Sequence, residues 1–394
     1  MFYSFHSLIL IHSKQKRKYG TIFFYMIDIK HTLRFLPIHV INPQADKERS
    51  MYVGEELESL ITTVGGIVVD RIIQKLDNPN NATFIGKGKV QEVREIIKEK
   101  HIDVVVLNAT AKPQQVHTLK TEFQKVNPTI DVWDRVDLIL HIFDKHAKTT
   151  EAKLQIELAR MRYMGPRIYG MGYVLSRQGG GIGTLGVGET NTELMKRHWR
   201  NEMKKIKDQL EKITVLRQQQ LERRKKVGFK TISLVGYTNA GKSSLFNVLT
   251  GKQNLVENVL FATLDSSVGK IYIKELQTEV LVTDTIGFIR NLPSLLISAF
   301  KSTLMESLHA DILLHVIDTT DPEIELKIGV VNIILKELGR DLSNMIYIFN
   351  KIDGKMIFSK EALEEKYKEH SPLFVSAKTG DGISSLLTYI KVLY

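Results

Sequence analysis

Eight consecutive residues constrain the fold of this chain more than any other feature: Gly236-Tyr-Thr-Asn-Ala-Gly-Lys-Ser243. Two glycines five positions apart, followed by Lys-Ser, match the pattern of a phosphate-binding loop. An apolar run typical of a buried strand, Thr231–Val235, ends directly before the loop, and a helical pattern, Ser244–Thr250, follows it. In a strand–loop–helix unit, backbone N–H groups and the positive end of the helix converge on phosphate. The sequence therefore predicts an α/β sheet with a nucleoside triphosphate at its edge.

Two side chains of this loop have predicted tasks. Lys242 is expected to reach the β and γ phosphates, and the hydroxyl of Ser243 is expected to bind Mg²⁺. The predicted nucleotide-binding residues of the loop are Gly236, Tyr237, Thr238, Asn239, Ala240, Gly241, Lys242 and Ser243.

A second motif, Asn350-Lys-Ile-Asp353, follows the predicted strand Met345–Asn350 and would read the base. Ligands bind at the carboxyl ends of strands in open α/β sheets, which places Asp353 at the site. Its carboxylate can accept hydrogen bonds from N1–H and the 2-amino group of guanine, whereas adenine lacks both donors and would be rejected. Ser376-Ala-Lys378 follows the next predicted strand, Leu373–Val375, and favours the same pocket. The predicted base-site residues are Asn350, Lys351, Ile352, Asp353, Ser376, Ala377 and Lys378.

Two further motifs lie between the phosphate loop and the base motif. In Asp284-Thr-Ile-Gly287, at the end of the predicted strand Val280–Thr283, the aspartate would hold Mg²⁺ through water and the Gly287 N–H would sense the γ-phosphate. Thr263 would add its hydroxyl to the metal. The predicted nucleotide-site residues here are Phe261, Ala262, Thr263, Leu264, Asp265, Asp284, Thr285, Ile286 and Gly287. Because all these elements occur in order, the sequence predicts a GTPase domain.

The predicted chemistry is Mg²⁺-dependent hydrolysis of GTP to GDP and phosphate. The residues assigned to catalysis are Lys242, Thr263 and Gly287, and those assigned to the metal are Ser243, Thr263 and Asp284. Position 288 is Phe, where many GTPases carry the glutamine that orients the attacking water. Intrinsic hydrolysis is therefore expected to be slow unless another group assists.

Asn239 supports two interpretations. Its amide oxygen could ligate K⁺, which would neutralise phosphate charge as an arginine finger does. The alternative is an asparagine that only stabilises the loop. The sequence leaves both open.

The positive charge of the chain is concentrated in one segment. The 394 residues carry a formal net charge of +11, and residues 151–226 alone hold 17 basic against 8 acidic side chains. Such a concentration favours a polyanionic partner. The chain has no cysteine, which excludes a disulfide scaffold, a cysteine nucleophile and a thiolate metal site. It has no run of 18 apolar residues, so no membrane-spanning helix is expected, while peripheral membrane association stays open.

Four segments are expected. Residues 1–33 are predicted to be an extension that is either disordered or not translated. Residues 34–149 alternate strand and helix patterns, which predicts a small parallel-sheet α/β domain. Residues 150–227 are predicted to form a basic antiparallel helical hairpin, because Trp199, Met203, Ile206, Leu210 and Ile213 follow a coiled-coil seam. Residues 228–394 would be the GTPase domain.

The stretch joining the two helices of the predicted hairpin is rich in glycine. It contains Gly181-Ile-Gly-Thr-Leu-Gly186, a formal dinucleotide fingerprint, but such a motif should follow a strand, and this one lies between helices. With Arg167 and Arg177 nearby, it is better interpreted as a flexible contact to RNA backbone. The alternative is a hinge with a solvated, charged face.

Motifs outside the nucleotide site resemble those of the HflX family of ribosome-associated GTPases. They are Thr83-Phe-Ile-Gly-Lys-Gly-Lys-Val90, Glu151-Ala-Lys-Leu-Gln-Ile-Glu-Leu158 and Ser176-Arg-Gln-Gly-Gly-Gly-Ile-Gly183. The resemblance covers about residues 34–394 and implies a GTPase that binds the large ribosomal subunit and splits or rescues stalled ribosomes under stress. Leu185 and Val187 depart from the Arg and Pro usual in the family, which weakens the presumed RNA contact of this loop.

The resulting hypothesis is a GTP-hydrolysing switch that docks on ribosomal RNA. GTP would order Thr263 and Gly287, and hydrolysis would release them. The expected partners are GTP, GDP and the large ribosomal subunit, not DNA, and the expected state is a cytoplasmic monomer. The alternative is a GTP-dependent signalling switch acting on an acidic protein partner. An ATP-dependent RNA remodeller is disfavoured because the N-terminal segment has no second phosphate loop.

Overall fold

A computed structural model describes most of the chain beyond the predicted extension. The described residues are 32–44, 47–178, 187–253, 260–261, 263–264, 266–274, 277–293, 296–297, 304 and 307–393. Residues Leu33–Tyr394 form one compact unit. Several predicted features lie outside the described residues: nearly all of the extension, the glycine-rich residues 179–186, and Ala262 and Asp265 of the predicted nucleotide site.

The N-terminal part alternates strands and helices as predicted. Its elements are β1 (Arg34–Ile41), α1 (Lys47–Val64), β2 (Ile67–Val68), β3 (Ile72–Lys75), α2 (Lys87–Lys100), β4 (Val104–Leu107), α3 (Pro113–Gln124), β5 (Asp131–Asp134) and α4 (Arg135–His146). All its strand pairs are parallel, in the order β2-β1-β4-β5, with β3 beside the second half of β1. The apolar residues within 67–73 therefore contribute to two short strands rather than to one.

Strand composition explains why this sheet lies inside the domain. β4 is Val-Val-Val-Leu and all four side chains are buried, as expected where helices cover both faces of a parallel sheet. One face packs on α1 and α4 and the other on α2 and α3.

The basic segment forms two long helices, α5 (Thr150–Gln178) and α6 (Val187–Lys226). Leu158, Met161, Trp199 and Ile206 are buried between them, and the indole N–H of Trp199 donates to the Met161 carbonyl at 3.1 Å. The seam predicted from the heptad spacing is therefore the packed face of the hairpin.

The first helix of the hairpin runs through two residues that disfavour a helix. Helical patterning without a breaker ends at Met164, but α5 continues across Gly165 and Pro166 to Gln178. Gly costs about 1 and Pro about 3 kcal/mol in a helix interior. Arg167 lies directly beyond these breakers and pairs with Asp134 and Asp137 of the N-terminal part. α6 begins at Val187 and therefore includes Gly188 in its first turn.

The C-terminal part holds a second, mostly parallel sheet. Its elements are β6 (Lys230–Val235), α7 (Lys242–Thr250), β7 (Ser267–Ile273), β8 (Thr278–Asp284), β9 (Ile312–Asp318), α8 (Ile324–Glu337), β10 (Met345–Asn350), α9 (Lys360–Lys366), β11 (Leu373–Phe374) and α10 (Ile383–Val392). A 3₁₀ turn, Lys368–His370, precedes β11. The strand order is β11-β10-β9-β6-β8-β7, and only β7 runs antiparallel to its neighbour. The predicted fold class is confirmed.

The strand ends of the second sheet position the predicted motifs. Gly236 follows β6, Asp284 ends β8 and Asn350 ends β10, so all three lie at the carboxyl edge of one sheet. One buried apolar cluster runs from Leu57 and Phe143 of the N-terminal part to Phe349 of β10. Among the described residues, no helix is both long and apolar enough to cross a membrane.

Candidate functional site

The phosphate loop has the backbone shape that its glycines permit. Gly236 and Gly241 have φ values of +151° and +93°, a region that side chains disfavour. A Cβ at Gly236 would lie 2.3 Å from the Val316 carbonyl oxygen, and one at Gly241 would lie 2.2 Å from Nδ2 of Asn350. Both positions therefore require glycine, which explains the spacing that the sequence pattern detected.

Lys242 points its ammonium back into this loop. The side chain is buried, and Nζ donates to the carbonyl oxygens of Gly236 at 3.2 Å and Tyr237 at 2.8 Å. Burial lowers the pKa of this ammonium to about 8; the charge of Lys351 acts in the same direction and that of Asp284 opposes it. A phosphate in the loop would meet this cation and the N-terminus of α7.

The three residues predicted to surround a metal lie together. Ser243 Oγ is 2.7 Å from Thr263 Oγ1 and donates to Asp284 Oδ2 at 2.6 Å. Asp284 is fully buried, and its Oδ1 has no hydrogen-bond partner among the described residues. Burial raises the pKa of this carboxyl, opposed by the hydrogen bond from Ser243 and the charge of Lys242. Two hydroxyls and a carboxylate with an unpaired oxygen are hard donors that suit Mg²⁺.

The Asp-x-x-Gly loop is hydrogen-bonded to the phosphate loop along its backbone. The Phe288 N–H donates to the Gly236 carbonyl at 3.1 Å, and the Thr238 N–H donates to the Phe288 carbonyl at 2.8 Å. A Cβ at Gly287 would lie 2.8 Å from Cα of Thr238 and 2.9 Å from Nζ of Lys242, so the backbone approaches both closely. The Phe288 ring is buried in the core, consistent with a position that cannot orient water.

The base motif braces the phosphate loop. Asn350 is buried; its Nδ2 donates to the Ala240 carbonyl at 2.9 Å, and its Oδ1 accepts from the Ala377 N–H at 3.0 Å. Lys351 pairs with Asp318 at 2.6 Å. Asn350 therefore links the phosphate loop to the loop that carries Ser376-Ala-Lys378.

Asp353 is held in place by the neighbouring loop. Ser376 Oγ donates to Asp353 Oδ1 at 2.7 Å, and this hydrogen bond lowers the pKa of the carboxyl. The backbone N–H groups of Lys378 and Thr379 in turn donate to Ser376 Oγ, at 3.3 and 3.1 Å. The carboxylate is thus charged and oriented, as recognition of two guanine donors needs.

The segment around Thr263 also touches the N-terminal part. The ring of Phe261 is buried against Phe143 of α4, with centroids 4.8 Å apart. The Leu260 N–H donates to Thr63 Oγ1 of α1 at 3.2 Å. The ring of Phe261 thus lies in the contact between the domains of the two sheets, and the place of this residue at the nucleotide stays a prediction.

Sequence reasoning missed a set of buried charges beside the phosphate loop. Glu56 of α1 contacts Arg135, Tyr237 and Arg290, and Arg290 also contacts Glu323. No local motif marks Glu56, which is 181 residues from Tyr237 and 234 from Arg290. Of the four charged residues, only Arg290 lies near a sequence motif, three positions after Gly287.

The site and the fold define the class of the protein. A phosphate loop, an Asp-x-x-Gly loop and an Asn-Lys-x-Asp motif meet at one sheet edge, with oxygen donors for a metal between them. The chain is a P-loop GTPase. Three family models match it in succession: "GTP-binding GTPase N-terminal" over residues 52–144, "GTP-binding GTPase Middle Region" over 146–224 and "50S ribosome-binding GTPase" over 231–351.

The chain belongs to the HflX family, which confirms the resemblance found in its motifs. It is 41% identical over 357 residues to GTPase HflX of Caldanaerobacter subterraneus subsp. tengcongensis, covering 88% of this chain and 80% of that one. It is 37% identical over 340 residues to GTPase HflX of Escherichia coli K12, covering 86% and 78%. A solved structure described as "SsGBP and GDP complex" matches with 26% identity and a TM-score of 0.52, covering 92% of this chain and 98% of that one.

Proposed function

We propose that this HflX-family GTPase binds the large ribosomal subunit in its GTP state and splits or rescues stalled ribosomes. The match of residues 231–351 to a family described as "50S ribosome-binding GTPase" supports the partner. The observation that indicates which surface would bind the subunit is the set of exposed charges on the hairpin. Lys204, Lys205 and Lys207 of α6 are exposed beside a buried apolar seam, so their charges face solvent without contributing to packing.

We further propose the division of labour and the roles of the site residues. Residues 34–149 would sense the nucleotide state, 150–227 would carry RNA contacts and 228–394 would hydrolyse GTP. Lys242 would neutralise the transferred phosphoryl oxygens, and the Gly287 N–H would hold the γ-phosphate. Ser243, Thr263 and, through water, Asp284 would hold Mg²⁺, which would neutralise charge on the β and γ phosphates when bound. The Asp353 carboxylate would select guanine.

Sedimentation with purified large ribosomal subunits tests the proposal. The chain loaded with a non-hydrolysable GTP analogue should co-sediment, and the GDP form should co-sediment less. Replacing Lys204, Lys205 and Lys207 with Gln should weaken binding and lower the magnitude of its salt slope by about 0.7–0.9 for each of these lysines that binds a phosphate. GTP affinity should not change, because the base and phosphate loops lie in the other domain.

The matched control removes three exposed lysines from the GTPase domain, Lys355, Lys360 and Lys368, and so changes the net charge equally. If both triple variants lose binding alike, the effect is one of net charge and not of the hairpin. If the native chain is not retained on protein-free ribosomal RNA at low salt, the protein-partner alternative is favoured.

A further inference from the structure

A buried cluster of four charges lies where the N-terminal part meets the phosphate loop. Glu56 of α1 pairs with Arg135, which follows β5, and with Arg290, which follows the Asp-x-x-Gly loop, while Arg290 also pairs with Glu323 before α8. The four side chains are only 3–9% exposed. Two carboxylates face two guanidiniums, so the cluster is neutral, and only this mutual pairing makes such burial tolerable.

Glu56 is the member that spans the two domains. Its Oε1 accepts from Nη2 of Arg135, and its Oε2 accepts from the Tyr237 hydroxyl and, at 3.1 Å, from Nε of Arg290. Burial alone would raise the pKa of this carboxyl, but the charges of Arg135 and Arg290 outweigh it and hold the pKa below its ordinary value. The carboxylate is therefore a fixed negative charge, with Oε1 bonded to Arg135 and Oε2 bonded to Tyr237 and Arg290.

Arg290 uses its whole guanidinium in this cluster. Nε contacts Glu56, while Nη1 and Nη2 donate to the two oxygens of Glu323 at 3.1 and 2.6 Å. The backbone N–H of Arg290 donates to the Tyr237 hydroxyl at 2.9 Å. Side chain and backbone of this one residue are thus both fixed, and bidentate geometry of this kind resists rotation.

These contacts act on the backbone that faces the nucleotide. Tyr237 is the second residue of the phosphate loop, and Arg290 lies three residues after Gly287. Between them run the two backbone hydrogen bonds that join Gly236 and Thr238 to Phe288. Glu56 therefore holds both of the backbone segments that these hydrogen bonds join. Gly287, the residue before Phe288, lies against the ammonium of Lys242.

We propose that Glu56 is a positioning residue for GTP hydrolysis, which acts from the N-terminal domain by holding Tyr237 and Arg290 so that Gly287 stands at the γ-phosphate position. This inference rests on the proposed role of Gly287. Only GTP has a γ-phosphate, so loss of the Glu56 contacts should weaken the binding and turnover of GTP more than it weakens the binding of GDP. By linkage, GTP must strengthen the attachment of the N-terminal domain by the same factor.

The test compares Glu56→Gln with Glu58→Gln in the full chain. Glu58 lies on the same helix and pairs with Arg71 inside the N-terminal part at 3.1 Å, so its loss removes an ion pair without touching the GTPase domain. Glu56→Gln should lower affinity for a non-hydrolysable GTP analogue relative to GDP by roughly tenfold, within the range typical of coupled sites. It should lower kcat by a similar factor, and Glu58→Gln should change neither.

Tyr237→Phe is the second variant, because it removes one hydroxyl and leaves the charges paired. It should also lower the affinity for the GTP analogue relative to GDP. The double variant should lower this ratio no further than the stronger single variant, because both substitutions break the same chain of contacts. Equal loss for GDP and the GTP analogue, or additive effects, would show a structural role only and overturn the inference. Gly287→Ala separates the two proposals. If this variant, like Glu56→Gln and Tyr237→Phe, leaves the ratio of GTP-analogue to GDP affinity unchanged, the proposed role of Gly287 is wrong. If Gly287→Ala changes the ratio and the other two variants do not, only the role of Glu56 is wrong.

Discussion

Asp353 is the carboxylate that we propose selects the base. Its Oδ1 is occupied by the Ser376 hydroxyl at 2.7 Å, and the ammonium of Lys378 lies 3.8 Å from Oδ2. Both contacts favour the charged form, so the group can accept two hydrogen bonds at neutral pH. In the proposed base site, Ser376 contributes through its effect on the charge of Asp353.

Asp353→Asn should weaken GTP binding by about tenfold or more and favour xanthine nucleotides. The amide offers one donor where the carboxylate offers only acceptors, and the lost hydrogen bond is charge-assisted. Competition between GTP and XTP for the variant and the native chain measures the change. An unchanged preference for GTP would remove Asp353 from the base pocket.

Asn239 adopts a backbone conformation that explains its identity without a cation. Its φ is +63°, in the left-handed region that asparagine tolerates better than most residues. This favours the interpretation that it stabilises the loop, while the K⁺ interpretation stays a prediction. If K⁺ binds, hydrolysis should be faster in potassium than in sodium at equal ionic strength.

Asn239→Gly is the variant that separates these interpretations. Glycine keeps the positive φ without strain but removes the amide oxygen. Alanine would remove the oxygen and would also strain the backbone at this φ. The potassium advantage should vanish in the glycine variant if the oxygen ligates the cation. Equal rates in the two salts for the native chain would reject the K⁺ site outright.

At the scale of elements, α5 joins the hairpin to the N-terminal domain through a buried polar contact. Arg167 donates to Asp134 at 2.9 Å and to Asp137 at 2.7 Å, and the Tyr163 hydroxyl donates to Asp134. Arg167 was expected beside the RNA-contacting loop, and that expectation is wrong: the side chain is buried and fully engaged. The helix that carries the basic segment is thereby fixed to α4.

This contact predicts a pH dependence of stability. Two carboxylates share one guanidinium, and burial, followed by repulsion from Asp134, raises the pKa of Asp137 to about 7. A folded-state pKa above the unfolded value means that protonation favours folding, so stability falls as pH rises from about 4 to about 7. The dependence follows from proton linkage between the folded and unfolded states.

Urea unfolding at about pH 5 and pH 8 measures this loss. Asp137→Asn keeps the acceptor for Arg167 but cannot ionise, so it should reduce the fall in midpoint between the two pH values. Asp144→Asn is the control, since Asp144 lies on the same helix and pairs with Arg160 of α5 at 3.4 Å near the surface. An identical pH profile for native chain and Asp137→Asn would contradict the prediction.

At the scale of the whole molecule, the carboxyl edges of the two sheets converge on one cluster. Arg135 follows β5, Tyr237 follows β6 and Glu323 follows β9, and Glu56 or Arg290 contacts each of them. Phe261 and Leu260 add a second contact to α1 and α4. The N-terminal domain therefore touches the phosphate loop, the segment before Thr263 and the segment after Gly287. A GTPase built this way can report its nucleotide state as a change in domain attachment.

Much of this arrangement could be predicted from local pattern. Strand patterns such as Met345–Asn350 match the structure, because the hydrophobic periodicity and composition of a strand depend on which of its side chains are buried. The residues predicted to hold the metal come from separate motifs, and Ser243 lies within hydrogen-bond distance of both Thr263 and Asp284. Their motifs follow strands of one parallel sheet, whose carboxyl ends must share an edge.

What the sequence by itself determined is the nucleotide chemistry, because glycine-dependent backbone shapes and strand-end side chains are set over a few residues. Tertiary structure alone decided which distant charges meet. Glu56 looks like any helical glutamate, and Arg167 like any exposed cation, until folding places each against partners on another element. Electrostatic pairing of buried groups depends on distance in space and on desolvation, and neither quantity has a period along the chain.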